Sequence, residues 1–223
     1  MTGGARVIAI DGPVGAGKST VARALAQRLG VRYVDTGAMY RAVAYLAARR
    51  GIAWEDRAAV AALARRVEIA FEPAPDGQRV RVDGLDVTEA IRAPQISEGA
   101  SVVSAYPEVR EALVALQRRM AGDDWVVMEG RDIGTVVFPD AAVKVYLEAS
   151  LDERARRRHR ELLDRGEAVR YEEVREALRA RDQRDATRAH SPLRPAPDAL
   201  IIDSTSLSVE QVVDAIAARL PGR

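Results

Sequence analysis

Gly12, Gly17, Lys18 and Ser19 stand at the spacing G-x-x-x-x-G-K-[ST]. That pattern cradles phosphate when a strand precedes it and a helix follows. Residues 7–10 are a short β-branched apolar run that reads as a buried strand, and residues 20–29 read as a helix. The stretch Gly12, Pro13, Val14, Gly15, Ala16, Gly17, Lys18, Ser19 and Thr20 is therefore expected to bind a nucleoside triphosphate. Its glycines let successive backbone N–H groups turn inward as an anion nest, and the helix N-terminus adds partial positive charge. Lys18 is placed to reach the β- and γ-phosphates, and the Ser19 hydroxyl to ligate Mg²⁺. The motif names a ligand class and leaves the fate of its phosphate open.

Other chemistry-bearing residues follow later strands. Asp35-Thr-Gly-Ala-Met-Tyr-Arg41 comes after the second apolar run. Thr36 is expected to cap a helix there, and Tyr40 and Arg41 lie one turn on, facing the same way as Thr36 and Gly37. Glu129-Gly-Arg-Asp-Ile-Gly-Thr135 puts a carboxylate, a guanidinium and another carboxylate at the mouth of the third run. Arg181, Asp185 and Arg188 fall at i, i+4 and i+7, on one face of a helix. A salt-bridged turn or a solvated helix would carry the same letters. Arginine's planar fork nevertheless matches phosphate oxygens, and Arg41, Arg131 and Arg188 come from three segments that could converge on phosphates.

The elements that must position these residues alternate. Apolar runs at residues 7–10, 31–34, 125–128, 143–147 and 199–202 read as strands. Helices are expected at 18–29, 38–49, 108–120, 151–165, 172–188 and 209–220, the last capped by Ser208. The pattern predicts an α/β fold with a five-stranded parallel sheet flanked by helices. Near-continuous apolar strands point to burial on both faces, and ligands belong beyond the strands' carboxyl ends. One region breaks the rhythm. Residues 67–72 and 79–83 alternate around the turn residues 73–77, which reads as an antiparallel hairpin, and residues 85–88 offer a third strand. A small antiparallel β insertion is expected at about 67–105.

Composition narrows the function classes. The chain has 223 residues, 48% apolar and 30% charged, with a formal net charge of +1. That charge exerts no bulk pull toward nucleic acid or membrane. Cysteine and asparagine are absent, which excludes disulfides and thiolate metal sites. His159 and His190, the sole histidines, are far apart, so a histidine metal pair is not expected. The charge content and missing thermolabile residues fit heat adaptation or a GC-rich genome equally. There is no apolar leader-like segment at the start, nor a run of roughly 18 apolar residues. A cytoplasmic enzyme is expected.

Together the motifs resemble the bacterial cytidylate kinases, of the nucleoside monophosphate kinase group. The resemblance rests on Ile10-Asp-Gly-Pro-Val-Gly-Ala-Gly-Lys-Ser19, Asp35-Thr-Gly-Ala-Met-Tyr-Arg41, residues 129–140, the Arg181, Asp185 and Arg188 set with Pro192-Leu193 nearby, and Asp203-Ser-Thr205, in family order over nearly the whole chain. It implies one kinase domain over residues 1–223, a monophosphate-binding region at about 36–105 and a helical lid at about 152–168. It implies that Ser101, Arg110 and Asp132 face cytosine. Thr36, Arg181 and Asp185 would face the sugar with Tyr40 close by, and Arg41, Arg131 and Arg188 would hold phosphates. Arg154, Arg157 and Arg158 would be the lid contacts to ATP, and Lys18, Arg131 and Arg188 the groups at the transferring phosphoryl. Thr36 stands where the family often has Ser, and Glu129 where it often has Asp, so a carboxylate reaching toward Mg²⁺ would do so on a longer arm.

The implied reaction moves the γ-phosphoryl of ATP to CMP or dCMP, with Mg²⁺, as a monomer acting on small molecules apart from nucleic acid and membranes. A phosphate oxygen is already ionised near neutral pH, so the lack of a histidine base is consistent with it. Another small P-loop kinase, acting on a different monophosphate or metabolite, is the alternative. A GTP switch fits poorly, since its guanine-reading motif normally includes asparagine. An RNA-binding module fits poorly too, with aromatics at 4% and few stacking platforms.

Overall fold

The computed structural model describes residues 5–74 and 77–220. The chain forms two compact units, one of Met1–Tyr33 with Asp123–Arg223 and the other of Val34–Gly122.

The first unit is built on a five-stranded sheet. In chain order the sheet's strands are β1 (Ala5–Asp11), β2 (Arg32–Asp35, whose last two residues open the second unit), then, after the second unit, β6 (Val126–Gly130), β7 (Ala141–Glu148) and β8 (Leu200–Asp203), and their order across the sheet is β2-β6-β1-β7-β8. β1 pairs in parallel with β6 and with β7, and β7 pairs in parallel with β8. The strand nearest the N-terminus thus sits in the middle, so its carboxyl end opens between two crossovers, where ligands of open α/β sheets bind. β6 is buried at every position, as a strand covered on both faces should be. β7 alternates buried and open residues, with Lys144, Tyr146 and Glu148 on its more open face, so the expectation of continuous burial fails there.

α1 (Lys18–Leu29) has the expected bounds and packs against β6 and α8 (Val209–Ala217). Ile8, Ile10, Leu25, Val127, Val145, Leu147, Val213 and Ile216 are among the core side chains between them. Ser208 caps α8 through a reciprocal box with Gln211. The helix ends at Ala217, three residues earlier than periodicity suggested. α6 (Leu151–Asp164) and α7 (Tyr171–Thr187) pack on each other through Ala155, Leu162, Val174 and Leu178.

In the second unit α2 (Thr36–Arg49) is capped by Asp35, whose carboxylate accepts from Ala38 N at 2.9 Å. Thr36 is therefore the first helical residue and not the cap, because the Asp35 side chain sits at the right reach for the N3 amide. α3 (Arg57–Ala64) and α5 (Pro107–Ala121) pack together. The antiparallel sheet is β3 (Ile69–Ala74), β4 (Gly77–Val82) and the two-residue β5 (Leu85–Asp86). The turn expected at 73–77 falls partly on residues 75–76, outside the described residues. The rest of the expected β insertion is helical: a 3₁₀ turn at Ala90–Arg92 and α4 (Pro94–Val103), with Pro94 opening the helix. Among the described residues no helix is long and apolar enough to cross a membrane.

Candidate functional site

β1 ends in Asp11, and the loop that follows is held by side chains acting on its carbonyls. Lys18 Nζ donates to Pro13 O at 2.7 Å, Arg154 Nη1 to Val14 O at 3.2 Å, and Ser204 Oγ to Ala16 O at 3.0 Å. With those carbonyls engaged, the loop's amides are left for an anion. Gly17 caps α1 with no side-chain hydrogen bond, so the first-turn amides of Lys18, Ser19 and Thr20 are also left for one. Two glycines are dictated by geometry. At Gly12 (φ +149°) a Cβ would lie 2.0 Å from Leu147 O, and at Gly15 (φ +79°) it would lie 3.0 Å from Arg154 Cβ. Ser19 is half-buried and Thr20 exposed.

Lys18 is buried. Burial pushes its ammonium down, the Arg131 guanidinium adds to this, and Glu129 and Asp11 pull it back, leaving it at about 7. Arg181 also depresses it. Lys18, Glu129, Asp11, Arg131 and Arg181 therefore share one electrostatic neighbourhood. Tyr33 Oη donates to Glu129 Oε1 at 2.5 Å, which fixes that buried carboxylate.

The arginines after β6 and on α7 meet around Asp185. Arg131 Nε donates to Asp185 Oδ2 at 3.1 Å. Burial pushes the Asp185 carboxyl up, but Arg131, Arg181 and Arg188 outweigh it and hold the group below its ordinary value. Arg188 is the C-cap of α7, in extended conformation, with its Nε donating to Ser191 O. It therefore leaves the helix face that spacing gave it, yet still acts on Asp185. Asp132 is buried at the start of a π-type turn, Ile133–Val137.

In the second unit Asp35 Oδ2 accepts from Arg41 Nη2 at 2.7 Å. The Arg110 guanidinium lies over the Tyr40 ring, 5.6 Å from its centroid, within cation–π range. Thr36 and Arg110 are buried and Ser101 is half-buried on α4.

The basic run on α6 behaves differently from a solvated face. Arg154 is buried, paired with Asp182 at 2.7 Å and bonded to Ala149 O and Val14 O. Arg157 donates to Ser204 Oγ at 3.1 Å and Ser204 O at 2.7 Å, and to Glu153. Arg158 pairs with Glu161 on its own helix. Sequence reasoning missed Asp182 and Ser204, whose partners lie far along the chain. It also missed Asp11, although an ionisable residue closing an apolar strand is itself a signal.

Comparison with known proteins gives a consistent result. The family model described as cytidylate kinase matches residues 8–221. The cytidylate kinase of Desulfitobacterium hafniense (strain Y51) is 56% identical over 209 residues, covering 94% of this chain and 90% of that one. The cytidylate kinase of Carboxydothermus hydrogenoformans is 53% identical over 206 residues, covering 92% and 93%. Among solved structures, an uncharacterized protein from Eubacterium ventriosum matches with a TM-score of 0.51 at 12% identity, covering 97% of this chain and 99% of that one. That likeness speaks for the fold alone.

Proposed function

The chain belongs to the cytidylate kinase family, and on that premise we propose that it transfers the γ-phosphoryl group of ATP to CMP, and to dCMP, giving ADP and the nucleoside diphosphate. The observation that carries the reading is the shared neighbourhood, within one unit, of the phosphate loop's Lys18 with Arg131 and Arg181, continuing through Asp185 to Arg188.

Phosphoryl transfer needs in-line positioning and dispersal of charge over the moving group. Lys18 at the donor and Arg131 and Arg188 at the transferring phosphoryl supply fixed positive charge in a site partly shielded from water. The acceptor oxygen arrives ionised, so no base is required. Arg41 adds a phosphate fork, while Thr36, Arg181 and Asp185 take the sugar, with Tyr40 beside them. Ser101, Arg110 and Asp132 read the base. Cytosine's N4 amine can donate to the Asp132 carboxylate, whereas uracil's O4 would be repelled by it. Arg154, Arg157 and Arg158 belong to the lid that excludes water.

Among the described residues no group of three or more His, Cys, Asp or Glu side chains could hold a metal. The donors beside Lys18 are the Ser19 hydroxyl and the Glu129 carboxylate, hard oxygens that suit Mg²⁺ when the substrate's phosphates and water complete its shell. Ser19 and Glu129 would hold the ion, and its chemistry is to neutralise charge on the β- and γ-oxygens. A net charge of +1 exerts no bulk pull toward nucleic acid or membrane, which supports action on small phosphorylated substrates, and we place that action in the cytoplasm, in a monomer.

The test is a coupled assay with ATP and a panel of nucleoside monophosphates. CMP should yield ADP and CDP one for one. No CDP, or equal turnover of every acceptor, overturns the reading.

A further inference from the structure

Asp11 holds the loop that carries Arg131 and Asp132 from both sides. Its backbone is the parallel-ladder partner of Gly130, the last residue of β6. Its carboxylate accepts from Ile133 N and Gly134 N, each at 2.8 Å. Only Arg131 and Asp132 lie between the two anchors, and the residue that provides both anchors is followed directly by Gly12. The outer side of the turn is closed as well. The Lys144 stem packs on Gly134, where an added Cβ would come within 3.2 Å of Lys144 Cγ. Its ammonium is pinned by Pro139 O at 2.5 Å and by both Asp198 oxygens at 3.0 and 2.8 Å.

The chemistry of the clamp demands a carboxylate. Ile133 and Gly134 present two N–H donors to one side chain, and only an ionised carboxylate offers two acceptors with no donor. Asparagine would satisfy one amide and oppose the other. Keeping a charge in this buried place is costly, and burial duly pushes the Asp11 carboxyl up, to about 6, against the two amide bonds. Without a positioning task, a neutral residue would be the cheaper occupant.

We propose that Asp11 is a positioning residue for the acceptor side of the reaction, setting Arg131 and Asp132 relative to the phosphate loop through its paired bonds to Ile133 and Gly134. This rests on the reading that Arg131 serves phosphate and Asp132 the base. Asp11 touches neither substrate in this scheme.

The experiment is Asp11→Asn, compared with wild type and with Asp132→Ala, by steady-state kinetics with CMP and UMP, by ATP affinity and by thermal melting. The expected result is ATP affinity lowered only about two- to threefold, through loss of a charge that helps keep Lys18 protonated, against CMP KM raised roughly tenfold and CMP-over-UMP selectivity lowered at least about fivefold, the scale of a small misplacement of positioning groups. Unchanged CMP KM and selectivity, or equal weakening of ATP and CMP, overturns the proposal. Asp132→Ala separates the two levels: if it leaves selectivity intact, the base-reading assignment has failed. If it lowers selectivity and Asp11→Asn does not, the clamp has failed. Should Asp11→Asn not fold, Lys144→Ala loosens the same turn from outside and should show the same split, about two- to threefold in CMP KM. No change there overturns the proposal.

Discussion

Arg131 donates through Nε to Asp185 at 3.1 Å, tying the turn after β6 to the last turn of α7. Asp185 also feels Arg181 and Arg188, so one carboxylate organises three guanidiniums. Removing it takes away a carboxylate on which all three guanidiniums act.

Asp185→Ala should therefore cost about 2–3 kcal/mol, since a half-buried ion pair loses one partner, and should raise KM for CMP more than KM for ATP. The carboxyl lies below its ordinary value in the folded protein, so its contribution is present above the unfolded value and is lost as pH falls through the folded one. Urea melts of both proteins at pH 7 and pH 3 check this: the gap between them should shrink at the lower pH.

Lys18 gives a prediction of opposite character. In the folded protein it titrates at about 7, and a bound triphosphate favours its charged form, raising that value. Above pH 7, ATP binding should thus take up close to one proton, and affinity should fall by up to about tenfold per pH unit between pH 7 and 9. Calorimetry at pH 8 in two buffers of different ionisation enthalpy measures the uptake. An enthalpy independent of buffer would contradict the placement of Lys18.

Asp11 titrates at about 6 when folded and at the model-peptide value of 3.8 when unfolded. The folded state then holds the extra proton between those values, so this group's contribution to stability declines as pH rises through that window. The decline is about 3 kcal/mol for a shift of this size. The stability difference between wild type and Asp11→Asn, measured from pH 3.5 to 7, should fall by that order. A flat difference would contradict it.

Gly12 is fixed by close approach. Gly12→Ala would drive a methyl group into the Leu147 carbonyl at a φ that L residues rarely adopt. The β7 backbone is locked in its ladder, so the expected cost is about 3 kcal/mol or more, with ATP binding lost. A variant melting within a degree or two of wild type would show that the loop can move away.

What was legible from letters alone follows physical range. β1, the phosphate loop and α1 are contiguous, and their local signals agree, so α1 emerges with its bounds. α3 escaped detection although Asp56 caps it through Ala59 N. Its eight residues are mostly alanine, and uniform alanine gives weak periodicity. α4 lies inside the stretch expected as a β insertion, where only residues 67–88 carry the alternation of strands. The turn at Ile133–Val137 contains a β-branched run, and what makes it a turn is Asp11, 122 residues away. Arg154 sits in a basic run that suggests solvent, yet Val14, 140 residues earlier, and Asp182 bury it. For the turn and for Arg154 the missing information was a partner remote in sequence.

The central claim is transfer of phosphate from ATP to a cytosine nucleotide selected by its amine. The most direct measurement is kcat/KM for CMP against UMP with saturating ATP, in wild type and in Asp132→Ala. A hydrogen-bonding site that leaves partners unpaired with the wrong base can discriminate by roughly 10⁴. The account predicts a wild-type preference for CMP approaching that scale, narrowed sharply in Asp132→Ala. Equal kcat/KM for CMP and UMP in the wild-type protein would contradict it.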